Sequence, residues 1–266
     1  MTATAAPPVW AAFGADAVAA ADAARRVPAP PAPGARPVGP TPSADAARRV
    51  PGRPPGGRPL AIGGLAKLST CDWPGKLAAT VFLQGCPWNC LYCHNPDLID
   101  SRAPGRIAWA DVLAFLRGRV GLLDAVVFSG GEATRQDLAP ALGQVRDLGF
   151  LAGLHTSGAY PKRLAELLPL VDWVGFDVKA LPENMAQVAG APGAGPAMTA
   201  SLKLLIESGV PHQIRTTWGA GVPTVSTAAQ AESVLEWARA QGAPNPVLQP
   251  VRPDGTRPQF RAPRTP

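Results

Sequence analysis

"AATVFLQGCPWNCLYCHNP", residues 78–96, joins a short apolar run to a loop that holds three of the chain's four cysteines. The run 78–84 is rich in β-branched and large apolar residues, with little polar interruption. Such a stretch fits a strand covered on both faces. Further runs of this kind occur downstream: "DAVVFSG" (124–130), "FLAGLHT" (150–156), "WVGFDVK" (173–179), "HQIRTT" (212–217) and "PVLQPV" (246–251). Between them, about 108–120, 136–148, 161–168, 198–208 and 226–241 carry apolar residues at helical spacing. Alternation of strand and helix over this length predicts parallel βα units, which build a partial barrel or a doubly wound sheet. Either arrangement puts its working face at the C-terminal ends of the strands.

The polar and small residues gather at those ends. The cysteine loop follows the first run, "SGGEAT" (129–134) the second, and "LHTSG" (154–158) closes the third. The fourth ends in "DVK" (177–179) and the fifth in "RTT" (215–217). A common rim for these segments is therefore expected.

The 266 residues are 46% apolar, enough for one large domain with tails. Residues 60–251 are expected to form that domain. Residues 1–59 are rich in Ala, Pro, Gly and Arg and poor in large apolar residues, and "ADAARRVP" occurs twice there. This composition buries too little surface to offset ordering entropy, so a disordered N-terminal extension is expected. Residues 252–266 read as a flexible basic tail. The formal charge of +6 lies in the ends: +4 in 1–59 and +3 in 252–266, which leaves 60–251 at −1. That placement argues against a nucleic-acid-binding face on the folded part. No run of about 18 apolar residues predicts a membrane span, and no secretory signal is evident, so the expected location is cytoplasmic.

In a reducing compartment, clustered cysteines read as metal ligands before disulfides. Cys86, Cys90 and Cys93 are spaced Cys-x3-Cys-x2-Cys. Structural zinc takes four closed ligands, and a [4Fe–4S] cluster ordinarily takes four cysteines. Three thiolates leave one iron open to a substrate or chelating ligand. Alternatives are a zinc site completed by His94 or Cys71, or three unrelated buried thiols. His94 directly follows Cys93, and Cys71 lies 15 residues before Cys86. Cys71 itself reads as an incidental buried thiol.

The triad with Tyr92 before its last cysteine resembles the signature of the radical S-adenosylmethionine superfamily. "DWPGK" (72–76) and "CHNP" (93–96) look like its glycyl-radical-enzyme activating branch, with the anaerobic ribonucleoside-triphosphate reductase activating proteins as the most similar group. The resemblance covers about residues 62–250. It implies a partial (β/α)6 barrel with outer helices, a [4Fe–4S] cluster on Cys86, Cys90 and Cys93, and S-adenosylmethionine on the open iron. No catalytic residue is implied beyond those ligands.

It also implies cofactor contacts. Gly130, Gly131 and Glu132 would receive the methionine ammonium, Lys179 the carboxylate, and Asp177 a ribose hydroxyl or a cation. Tyr92 would pack beside adenine, and Arg215 would face the carboxylate or the adenosine edge. "LHTSG" matches an Asp-Thr-Asn-Gly strand end of some activases at Thr156 and Gly158, with His155 in place of Asp. Read without the resemblance, Gly-Gly is a turn, Asp177 and Lys179 are a solvated ion pair, and His155 is structural. The implied partner is a glycyl radical enzyme, and the electron donor an external flavodoxin or ferredoxin, since no further cysteine cluster exists. Three alternatives are weighed: a radical enzyme acting on a small molecule or peptide, an activase of pyruvate formate-lyase, and a zinc-stabilised nucleic-acid-binding module.

Overall fold

The computed structural model describes residues 59–252 together with Thr256, Arg257 and Phe260. The expected disordered extension, 1–59, lies outside the described residues except for Pro59.

Seven strands form one sheet in sequential order: β1 (Ile62–Ser69), β2 (Ala78–Leu83), β3 (Ala125–Gly130), β4 (Leu151–Thr156), β5 (Trp173–Asp177), β6 (His212–Trp218) and β7 (Val247–Pro250). β1 runs antiparallel to β2, and every later neighbour is parallel. The strands β2 to β7 are the predicted ones, within a residue or two at each end. β1 was not predicted: "IGGLAKLS" lacks both the apolar run and clean alternation. A strictly sequential order excludes the doubly wound alternative, in which strand order reverses. Right-handed crossovers then place every helix on the same face, as in a partial barrel.

The helices are α1 (Trp109–Arg117), α2 (Ala139–Asp147), α3 (Pro161–Leu167), α4 (Met185–Ala189), α5 (Ala194–Ser208) and α6 (Ala228–Ala240). Local sequence sets their ends. Thr227 and Gln230 cap α6 reciprocally, each side chain bonding the other's backbone N–H. Gly209, at φ +68°, stops α5 in the left-handed region. The short α4 was not predicted, since five residues are too few to show a period.

Strand parity sorts the core. Val81, Leu83, Val126, Phe128, Leu154, Val174, Phe176 and Ile214 pack with the helices in the main cluster. Residues of the opposite parity, Ala78, Ala125, Val127 and Trp173, form a second cluster with Trp73. Trp73 stacks on Trp173 with centroids 5.2 Å apart, and Gly153 leaves the room it needs. The β1–β2 turn that carries "DWPGK" thus packs its tryptophan against the inner face of the sheet. Thr80 Oγ1 donates to Asp72 Oδ2 (2.6 Å), which fixes that turn. Toward the other end of the strands the same parity turns polar, with Ser129, His155, Asp177 and Arg215. No helix among the described residues is long and apolar enough to cross a membrane.

Candidate active site

The cysteine loop leaves β2 and is closed at its neck. Gly85 N donates to Leu98 O (2.8 Å) and Cys86 N to Ile99 O (3.1 Å). Buried Gln84 reinforces this, with Nε2 donating to the carbonyls of Asp97 (3.0 Å) and Asp100 (2.9 Å). At mid-loop, Asn89 N donates to Ala189 O at the end of α4 (2.8 Å). Loop residues from 86 to 98 are therefore held by backbone bonds at both the base and the middle.

Within it, Cys90 is buried, and Cys86 and Cys93 are half-buried. Burial pushes the Cys86 thiol up to about 12, although the Trp88 N–H, 3.4 Å from Sγ, opposes the shift. Burial also raises Cys90, against the pull of Lys179 and Arg257. Cys90 acts electrostatically on Cys86, and Cys93 on Cys90, so the three sulfurs are neighbours. Among the described residues, no three His, Cys, Asp or Glu side chains converge on a point that would hold one metal ion. His94 is exposed, and its Nε2 meets the Arg252 carbonyl at 2.9 Å. Cys71, expected to be buried, is exposed near Ser69, with Sγ 3.5 Å from Oγ. It sits in the β1–β2 turn, whose buried anchor is Trp73 instead.

Glu132 joins two strand ends. Its Oε1 accepts from Thr134 N (3.2 Å), Thr134 Oγ1 (2.7 Å) and Thr156 Oγ1 (2.6 Å), and its Oε2 from Ser157 N (3.0 Å). Thr156 Oγ1 in turn accepts from Gly158 N (3.0 Å). A carboxylate offers about four acceptor sites, so little capacity remains, all of it on Oε2. Gly130 and Gly131 also serve the protein's own packing. A Cβ on Gly130, at φ +116°, would collide with the Leu83 backbone. One on Gly131 would lie 2.5 Å from Gly85 O and 2.7 Å from Leu98 O, at the loop neck. The close approach these glycines permit is thus to the cysteine loop's base.

A second network lines the inner face. Arg215 grips Asp177, with Nε and Nη2 each 2.9 Å from Oδ1, and Lys179 Nζ lies 3.3 Å from Oδ2. The same-side placement read from "DVK" holds. Asp177 is lowered to about 2, because Arg215 and Lys179 outweigh the burial that would raise it. Lys179 is raised well above its usual value, its pairing with Asp177 overcoming burial. His155 Nε2 is 2.6 Å from the Asp72 carbonyl, which requires a proton on Nε2. Its Nδ1 then accepts from Ser129 Oγ at 3.3 Å. Burial and Arg215 lower His155 to about 4, so the ring is neutral at pH 7. Arg215 Nη1 lies 3.3 Å from the protonated Nε2, donor against donor. The network carries two cations around the Asp177 carboxylate and a neutral imidazole, with the Asp72 carboxylate also acting on that imidazole.

Tyr92 connects the loop to this network. Its ring is buried, and Lys179 Nζ lies 5.9 Å from its centroid. Its hydroxyl is buried without a hydrogen-bond partner among the described residues. Sequence reading missed Ser129, Asp72, Asn89 and Arg257. Asp72 stood within a quoted motif, but nothing in the sequence showed that its carbonyl would meet His155.

Comparison with known proteins places this geometry. Residues 80–238 match the profile of the Radical SAM superfamily. MJ1227 of Methanocaldococcus jannaschii, provisionally named a glycyl-radical enzyme activating enzyme, is 35% identical over 124 residues, covering 44% of this chain and 50% of that protein. The pyruvate formate-lyase 1-activating enzyme of Escherichia coli K12 is 31% identical over 127 residues, covering 44% and 51%. The chain thus matches about half the length of these curated relatives. Among solved structures, anSMEcpe with bound AdoMet shares the fold at a TM-score of 0.51 and 15% identity, covering 64% of this chain and 48% of that one. With the matched segment running from the first parallel strand through α6, and the cysteine loop at its head, the chain belongs to the radical SAM superfamily, whose members use a [4Fe–4S] cluster and S-adenosylmethionine.

Proposed function

We propose that this chain is an activase that generates a glycyl radical on a partner enzyme, and that Cys86, Cys90 and Cys93 hold its [4Fe–4S] cluster. The observation that carries the ligand assignment is the loop itself. Three thiols at Cys-x3-Cys-x2-Cys spacing are fixed in one backbone-clamped loop. A cubane takes one thiolate on each of three irons and leaves the fourth open, which suits a loop that supplies three cysteines while the fourth, Cys71, lies exposed in the β1–β2 turn. When bound and reduced, the cluster supplies the electron that splits S-adenosylmethionine into methionine and a 5′-deoxyadenosyl radical.

The chain's own residues then have separable tasks. Lys179, one of the two cations around Asp177, suits the methionine carboxylate. The remaining acceptor capacity of Glu132 Oε2 suits the ammonium, and Gly130 and Gly131 hold the loop neck at the right distance from it. Arg215 fixes Asp177, and its Nη1 meets no acceptor among the described residues, which leaves it available to an oxygen of cofactor or substrate. Asp177 is thereby held as an anion for a hydroxyl. Thr156 positions Glu132, His155 lies beside Arg215 on the inner face, and Tyr92 covers the cofactor side of the loop.

The partner class follows from the names of the curated relatives, which include glycyl-radical and pyruvate formate-lyase activating enzymes. The combination of "DWPGK" and "CHNP" favours an anaerobic ribonucleotide reductase as the specific partner, with a flavodoxin or ferredoxin as electron donor. The test is anaerobic incubation with reductant, S-adenosylmethionine and each candidate partner. A glycyl-radical signal in electron paramagnetic resonance on one partner supports the reading. Release of 5′-deoxyadenosine with no such signal on any partner would contradict it.

A further inference from the structure

The residues expected to form a loose basic tail include three that the structure places against the cysteine loop. Thr256 is 1% exposed, and Phe260 packs against the main core cluster. Each interval of the loop meets a residue from this stretch. Between Cys86 and Cys90, Asn89 Oδ1 accepts from Arg257 Nη2. Between Cys90 and Cys93, the Tyr92 ring faces Phe260 with centroids 6.4 Å apart. Directly after Cys93, His94 meets the carbonyl of Arg252. Gly221 gives Phe260 the space it occupies.

Arg257 stands apart within this set. Its Nε is buried with no hydrogen-bond partner among the described residues. A buried guanidinium N–H without an acceptor is costly and rare. Its bond to Asn89 ties it to the residue directly before Cys90. An acceptor bearing negative charge on the loop side would answer the unpaired N–H.

We propose that Arg257 is a positioning residue for the cysteine loop: bound to Asn89, it presents a positive charge and an unpaired N–H to the sulfur centre that the loop's thiols hold. The inference rests on the cluster assignment made above. Hydrogen bonds to sulfur and nearby charge set the reduction potential of iron–sulfur centres. A cation beside the centre favours the state with the extra electron. Arg257 therefore raises the potential and eases reduction by an external donor, while Asn89 transmits its hold to the loop between the first two ligands.

The experiment is redox titration of the reconstituted full chain, wild type against Arg257→Gln and Arg257→Lys, with iron counted in each. In Arg257→Gln with iron retained, the reduced-to-oxidised ratio at a fixed potential should fall about tenfold, or about 59 mV for a one-electron couple. Arg257→Lys, which keeps the charge, should stay nearer wild type. Iron-replete Gln and Lys variants that titrate with wild type would overturn the proposal. Should Arg257→Gln take up no iron, Arg257→Lys decides: restored uptake supports the role of the charge, and continued loss refutes it. A wild-type chain that itself takes up no iron would instead defeat the cluster assignment, and this inference with it.

Discussion

Two carboxylates close to the cysteine loop are held in opposite ways. Glu132 is buried and satisfied almost wholly by neutral donors: two threonine hydroxyls and two backbone N–H groups. Asp177 is half-buried and held by two cations, Arg215 and Lys179. The first arrangement is a closed joint between the ends of β3 and β4. The second is an open one, with an N–H of Arg215 that meets no acceptor among the described residues and two cations on one carboxylate. Both would look alike in a sequence, as an acidic residue after a strand. Their partners separate a group held mainly by the protein's own neutral donors from a group held by charge.

The largest effect should come from the closed joint. Glu132→Ala strands four donors, and a buried donor without its acceptor costs about 1–3 kcal/mol. A loss of about 3 kcal/mol or more is expected in chemical denaturation, with Glu132→Gln losing less. A stability close to wild type in Glu132→Ala would show that the joint is not closed.

The open network should respond in binding before stability. Lys179→Met removes one of the two cations and leaves Asp177 paired with Arg215. S-adenosylmethionine affinity of the iron-loaded chain should fall about tenfold, or about 1.4 kcal/mol, by equilibrium binding. Unchanged affinity would move the carboxylate contact elsewhere.

The remaining effect is a pH dependence. His155 binds its proton with a value of about 4 in the folded chain, below its ordinary 6.5. The unfolded chain then takes up the proton first as pH falls. The stability from a neutral His155 is complete above about pH 6.5 and lost progressively down to about pH 4. Asp177, lowered from 3.8 to about 2, adds a loss only below that window. The melting temperature of wild type should drop more steeply between pH 6.5 and 4 than that of His155→Asn. Parallel curves would mean that His155 is protonated in the folded protein.

The parallel strands and the cysteine triad were legible because each is a local pattern: an apolar run of fixed length, and thiols within eight residues. β1 escaped because "IGGLAKLS" is half-exposed and pairs on one side only with β2, so neither continuous burial nor alternation marks it. The glycines of "SGGE" were read as room for a ligand; the space a Cβ would need there is also taken by Leu83, Gly85 and Leu98, all more than thirty positions away in the chain. Long-range closeness of that kind has no local signature. The same holds for His155, whose partner is a backbone carbonyl at Asp72. Arg257 was hidden for another reason. Its surroundings in sequence are Pro, Gly and Arg, which predict looseness, and its placement depends on one loop amide at Asn89.

The account depends on three thiolates, and only three, sharing one iron–sulfur centre. The most direct measurement is iron, sulfide and zinc per chain after anaerobic reconstitution, in wild type, Cys71→Ala and each of Cys86→Ala, Cys90→Ala and Cys93→Ala. The account predicts about four irons per chain in wild type and Cys71→Ala, as a [4Fe–4S] centre requires, and loss of the centre in each of the other three. One zinc per chain, or a Cys71→Ala protein that loses its iron, would contradict it.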